Sequence, residues 1–253
     1  MDYDKLLNMA TELGYQLMSS GAEIYRVEES VYRLLRAYGL AQPQVFAIPN
    51  ALIVSVTTPE GHPITRMSRI PSHGTDIELL ERCNDLCRHL CVHPLPLDEA
   101  QQAISGLSEG VRTYPHRLVL LGHGVAAACF APLFGACLQD CVAAFFCGLI
   151  VGVLQLFGRR LLGSNSFFRT AICSAVASLL VLLLVRLGIG HDVDKMTIGV
   201  LMLLVPGAAL YNAMREIMAG DIMSGLSRTA EVILLASAIA LGVIVGLGIG
   251  RML

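Results

Sequence analysis

TAICSAVASLLVLLLVRLGIG, residues 170–190, decides the fold class: Arg186 is its one formally charged side chain, and it sits near the end. At 1.5 Å per residue, a helix of this length covers a hydrocarbon core roughly 30 Å thick. Working outward, windows 118–138, 141–157, 196–214 and 230–250 read the same way, and Glu231 is the one further formal charge inside them. Helices are predicted for all five, because backbone polar groups in lipid must find partners within their own segment. The second window is the shortest, so a re-entrant hairpin made of the first two is an open alternative.

The rest of the chain sharpens this division. Hydrophobic residues make up 55% and charged residues 15% of the 253 residues, and the mean hydropathy is +0.64, too apolar for a water-soluble globule. Most of the charges precede Arg117, and long stretches after it are almost uncharged. A small α+β domain at 1–112 is therefore expected ahead of an α-helical transmembrane domain at 113–253, a bundle of about five spans with membrane lipid as its solvent. The net charge of −2, with no lysine-rich run, gives nucleic acid no electrostatic footprint.

Asp2, Asp4 and Glu12 interrupt the first residues, unlike the basic start and apolar core of a signal peptide, so the N-terminal domain is expected in the cytoplasm. Arg112 and Arg117, then Arg159, Arg160 and Arg169, then Arg215 and Arg228 mark the predicted cytoplasmic ends of the spans. The opposite side carries Asp140, the segment His191 to Lys195, and Arg251. This is the layout of a multi-pass protein of a bacterial inner membrane.

Within the first domain, residues 3–38 have helical periodicity broken near Ser19-Ser20-Gly21, where Ser20 and Glu23 match a capping box opening a second helix. Val45 to Ile48, Leu52 to Val56 and Ile64 to Ile70 are rich in β-formers, and Pro49-Asn50 is turn chemistry between the first two. Helices are predicted again at 77–91 and 97–107. Glu23, Arg26, Glu28 and Glu29 could make an acid/base cluster, but charges this dense on a helix are read as a solvated face. Cys83, Cys87 and Cys91, with His89 and His93, could ligate zinc; a buried helix face explains the spacing equally well and is preferred. Neither a phosphate-binding glycine loop nor a catalytic triad spacing is present, and no cofactor is expected.

Two stretches carry a resemblance. Ser20-Gly21-Ala22-Glu23-Ile24-Tyr25-Arg26-Val27-Glu28-Glu29 resembles the opening signature of the bacterial threonine/serine exporter family. Leu203-Leu204-Val205-Pro206-Gly207-Ala208-Ala209-Leu210-Tyr211-Asn212-Ala213, continuing through Gly220-Asp221-Ile222-Met223-Ser224-Gly225-Leu226-Ser227-Arg228, is similar to that family's second conserved segment. Glu216 stands where many members carry Asp. The length fits the larger, YjjP-type subunit of the family's split form. That resemblance implies a small YjjB-type membrane subunit as partner and a small carboxylate as substrate, either succinate or threonine/serine.

Site expectations follow. Pro206 removes a helix hydrogen bond and Gly207 loosens the next turn, so the fourth span should kink or break there. The positive end of the half-helix after Gly207 would favour a carboxylate, with Asn212 adding a hydrogen bond; a simple proline kink is the plainer reading. Arg228 could grip a carboxylate bidentately or serve only as a positive-inside anchor. Asp221 and Glu216 could couple export to protons if burial raised their pKa values. His123 could join a relay, although a satisfied buried histidine is the preferred reading. Gly148, Gly152, Gly242, Gly246, Gly248 and Gly250 are expected to let helices approach closely. A membrane-anchored sensor or enzyme, active through the soluble domain, is the competing class.

Overall fold

The computed structural model describes residues 2–71, 74–109, 114–161, 163 and 165–252; Arg112 lies outside them. The chain divides into two compact units, Met1–Arg112 with Tyr211–Thr229, and Thr113–Leu210 with Ala230–Leu253. The segment 211–229, expected within the membrane half, thus belongs to the first unit.

In the first unit, α1 (Tyr3–Ser19) starts at Asp2, whose carboxylate accepts the Lys5 N–H at 3.0 Å. The helix stops because Gly21 takes a φ of 97°, which lets the Ala22 N–H return to the Leu17 carbonyl at 3.0 Å. The expected capping box does not form. Ser20 is absorbed into that closing turn, its hydroxyl donating to the Leu17 carbonyl, and α2 (Ile24–Ala37) begins one residue after Glu23 with no side-chain cap.

Strands β1 (Gln44–Ile48), β2 (Ala51–Thr57) and β3 (Pro63–Arg69) form an antiparallel meander in that order. Ile48 opposes Ala51, so Pro49-Asn50 is a two-residue turn. Leu52, Val54 and Val56 alternate inward along β2, against α1 and the rest of a core built on Leu6, Leu13, Leu17, Val31 and Leu34. At Gly14 the approach of α1 is so close that a side chain would strike Leu52 and Val31. Helices α3 (Ile77–Val92) and α4 (Leu97–Ser105) complete the layer. Cys83 and Cys87 are buried in this core. Burial pushes both thiols up to about 12, as expected of cysteines packed as small hydrophobes on a helix face.

The second unit contains α5 (His116–Phe130), a short 3-10 turn (Ala131–Phe134), α6 (Leu138–Leu161), α7 (Ser166–Arg186) and α8 (Val193–Leu201). Helices α9 (Gly207–Ala219) and α10 (Ile222–Met252) each contribute residues to both units. Among the described residues, four stretches are long and apolar enough to cross a membrane: His116–Phe134, Leu138–Gly158, Ser166–Arg186 and Ile222–Met252. The protein is therefore a mostly helical, multi-pass membrane protein with a small three-stranded sheet. The second window is longer than its composition alone marks, since α6 has 24 residues.

The fourth window, 196–214, is not one helix. After Leu201 the bonds tighten, Leu203 N–H to Val200 and Leu204 N–H to Leu201, and the helix restarts only at Gly207. Pro206 supplies no N–H and disfavours helical geometry at Val205, so the ladder cannot run through. The expected loop around Arg215 and Arg228 is also helical. Only Gly220-Asp221 separates α9 from α10, with Gly220 at a φ of 100°.

Small residues fill the core of the second unit: Ala127, Ala131, Ala143, Ala144, Cys147 and Ala177. A Cβ at Gly148 would stand 2.6 Å from the His123 carbonyl oxygen, and one at Gly242 or Gly246 would collide with the α7 backbone at Ala171 or Ala175. Gly250 packs against Leu182, whereas Gly248 faces open space and is not part of the ridge.

Candidate functional site

The part of the α9–α10 hairpin that belongs to the first unit, Tyr211–Thr229, carries four of the seven expected site residues, Asn212, Glu216, Asp221 and Arg228. Gly220 reverses the chain. Gly225 then lets α10 start against α9, where a Cβ would stand 2.8 Å from the Ala213 carbonyl oxygen. That closeness puts Glu216 opposite Ser224 and Arg228, which lie one turn apart on α10. Glu216 is fully buried; its Oε2 accepts the Ser224 hydroxyl at 2.7 Å. Its Oε1 lies 3.1 Å from Arg228 Nε, an ion pair without aligned hydrogen-bond geometry. Arg228 therefore already holds a carboxylate, and that carboxylate belongs to the protein.

On the adjoining turn, Arg215 pairs with Glu23, the residue just ahead of α2, and its Nη2 donates to the Tyr25 hydroxyl at 3.3 Å. Arg26 reaches the same two groups, 2.9 Å from Glu23 Oε2 and 3.2 Å from the Tyr25 hydroxyl. Glu23 is 9% exposed, so the solvated-face reading fails for it, and two guanidiniums meet on one carboxylate. It fails for Glu28 as well, whose Oε1 accepts the Ala47 N–H at 2.7 Å. Burial pushes the Glu28 carboxyl up, the Ala47 bond opposes this, and the nearby Asp221 charge adds to it. The reading holds for Glu29, exposed and paired with Arg33 at 2.5 Å. Asp221 has a buried Oδ2 with no hydrogen-bond partner among the described residues. Asn212 lines a cavity of the same unit.

Pro206, Gly207 and His123 fall in the second unit. There the interruption at 202–206 leaves the Leu203 carbonyl outside any helix, and Gln155 Nε2 of α6 donates to it at 3.4 Å. Gln155 Oε1 in turn lies 3.5 Å from His123 Nε2, while His123 Nδ1 is 2.8 Å from the Val119 carbonyl. Gly207 is exposed with open space around it, so packing does not demand glycine there.

Sequence reasoning missed Glu23, Arg215, Ser224 and Gln155 as members of these constellations. Ser224 was within reach, because Ser224 and Arg228 are one turn apart and a Gly-Asp turn precedes them. Glu23 and Arg215 are remote in sequence, and no local pattern pairs them.

Four stretches long and apolar enough to cross a membrane, among the described residues, make this chain a multi-pass membrane protein as a class. The comparisons narrow this. The sequence profile of the family described as "Putative threonine/serine exporter" matches residues 8–250, and the chain belongs to that family. It is similar to the "Probable threonine/serine exporter" of Mycobacterium tuberculosis, 26% identical over 96% of this chain and 46% of that protein. It is also similar to the "Probable succinate transporter subunit YjjP" of Escherichia coli K12, 28% identical over 95% of this chain and 93% of that protein. A "Threonine/serine exporter" of Corynebacterium glutamicum is 22% identical over 96% of this chain and 50% of its own length. The chain thus spans about half the length of the mycobacterial and corynebacterial relatives. No solved structure matches it.

Proposed function

We propose that this chain is one subunit of a secondary exporter that moves a small carboxylate out of the cytoplasm, a succinate-like dicarboxylate first and threonine or serine second. It works with a small YjjB-type membrane subunit. Full-length similarity to a relative named as a subunit supports the partner. The N-terminal domain is cytoplasmic, the membrane is the bacterial inner membrane, and the chain crosses it five times, the broken 193–219 stretch included.

The observation that carries this reading is the Glu216–Arg228 pair. A guanidinium held by an internal carboxylate is a preformed carboxylate site. An arriving substrate carboxylate competes with Glu216 for the guanidinium, and Glu216 is the group assigned to couple release to protons. Pro206 and Gly207 interrupt the fourth span, and the first N–H groups of α9 offer a second, weaker attraction for anions. Asn212, Asp221 and His123 are assigned supporting roles along the path.

The test is efflux from cells lacking both subunit genes. With both subunits restored, Arg228→Ala should abolish carboxylate release while the protein still reaches the membrane, and Glu216→Gln should uncouple release from the proton gradient. Undiminished efflux in Arg228→Ala would sink the site. Robust efflux by the large subunit alone would remove the partner from the reading. Carboxylate release by neither arrangement would favour a sensor or enzyme.

A further inference from the structure

The first unit holds a partly open cavity of about 190 Å³, and Asn212 is the one lining residue that the export reading also uses. Glu23, Arg26, Ser30, Thr75, Asn84 and Asn212 supply its polar lining. Its volume equals that of roughly six water molecules at ~30 Å³ each, the size of a small amino acid or short dicarboxylate.

The polar groups are incompletely used. Asn212 is half-buried, and its amide has no protein partner among the described residues. Asn84 donates through Nδ2 to the Leu80 carbonyl at 2.9 Å, which leaves its oxygen free to accept. Glu23 faces both Arg26 and Arg215, so this corner has one more positive than negative charge. The cavity shares Arg26, Ser30 and Asn84 with a cleft of about 620 Å³ that adds Arg33 and Arg88 against the single carboxylate of Glu29. With three guanidiniums against one carboxylate the cleft is net positive, which gathers anions and raises their local concentration.

We infer that the soluble unit has a binding site of its own for a small carboxylate, anchored at Arg26, with the ligand's far end hydrogen-bonded by Asn84, Asn212 and Ser30. In an amino acid the ammonium group would face Glu23; in a dicarboxylate the second carboxylate would lie toward the Arg33 and Arg88 side. Asn212 lies on α9, five residues after its first residue, so a bound ligand ties α1–α3 to that helix. The site's use as a cytoplasmic gauge of cargo rests on the export reading, but its existence as a binding site does not.

The experiment is equilibrium binding of radiolabelled threonine and, separately, succinate to the purified full-length chain in detergent. Thermal unfolding is followed in parallel. One of the two should bind saturably and raise the unfolding midpoint, and which one does so distinguishes the amino-acid from the dicarboxylate form. Asn212→Leu and Arg26→Ala should each weaken binding at least about tenfold, which corresponds to 1.4 kcal/mol, and abolish the ligand-induced rise while leaving a cooperative transition. Unchanged affinity in both variants overturns the inference, as does the absence of saturable binding of either ligand. Binding without efflux by the two-subunit complex sinks the export reading and leaves this site; efflux without binding does the reverse.

Discussion

The two units fill their interiors in opposite ways. In the first, the largest apolar side chains, Leu6, Leu13, Leu34 and Leu90 among them, are fully buried and most charges lie outside, Glu23 and Glu216 excepted. In the second, alanines, two cysteines and the serines Ser174 and Ser178 are inside with valines and Met196, while Leu118, Phe146, Ile150, Leu183 and Ile244 point outward. Water drives large hydrophobes inward, because removing apolar area from water is what stabilises such a core. Lipid gives no such drive, so close approach of helices through small residues supplies the packing. One chain is written for two solvents, and residue size tells them apart where hydropathy of a single residue does not.

Enlarging a small residue in the second unit should therefore do the greatest harm. Gly242→Leu drives a side chain into Ala171 and Ser174, and we expect no monodisperse protein on size-exclusion chromatography, whereas Gly248→Leu, facing open space, should behave as the parent. Equal behaviour of the two would break the comparison. In the first unit the reverse change is the damaging one: Leu34→Ala should cost about 2–5 kcal/mol by emptying a filled core, read as a lowered unfolding midpoint.

Glu216→Ala leaves the partly covered Arg228 without its partner and should cost about 1–3 kcal/mol. Replacing both by leucine should restore most of that stability but none of the efflux. Gln155→Leu strips the Leu203 carbonyl of its donor and should cost about 1–3 kcal/mol, with faster backbone hydrogen exchange confined to 202–206.

The smallest effect concerns Glu28. Its folded carboxyl is raised chiefly by burial, so its contribution is complete below the unfolded pKa and is lost as pH rises through the folded one. Glu28→Gln should therefore gain in unfolding midpoint relative to the parent between about pH 4 and pH 7, and a gain in the opposite direction would refute the burial assignment.

Much of this was legible from local pattern. Continuous apolar runs marked the long helices, β-branched alternation marked the three strands, and Pro206 announced the interruption after Leu201, because each rests on residues close in sequence. What failed was also local reasoning, applied where a distant partner decides. Ser20 and Glu23 satisfied the capping spacing, yet Gly21 closed the preceding helix through Ser20, and Arg215 claimed Glu23 from far along the chain. The dense charges on α2 looked solvated because nothing in that helix foretells that a β1 N–H would seek Glu28. The Glu216–Arg228 pairing depended on reading Gly220-Asp221 as a tight reversal rather than as part of a long loop.

The interruption at 202–206 has a consequence for how the protein is made. The nine residues of α8 reach about 14 Å at 1.5 Å per residue, under half of a ~30 Å hydrocarbon layer. As it leaves the ribosome, this piece cannot settle in the bilayer unaided, since its open carbonyl at Leu203 needs a donor that lipid does not offer. Gln155 is synthesised earlier, on a helix long enough to insert alone, so the order of translation delivers the chaperoning side chain before the segment that depends on it.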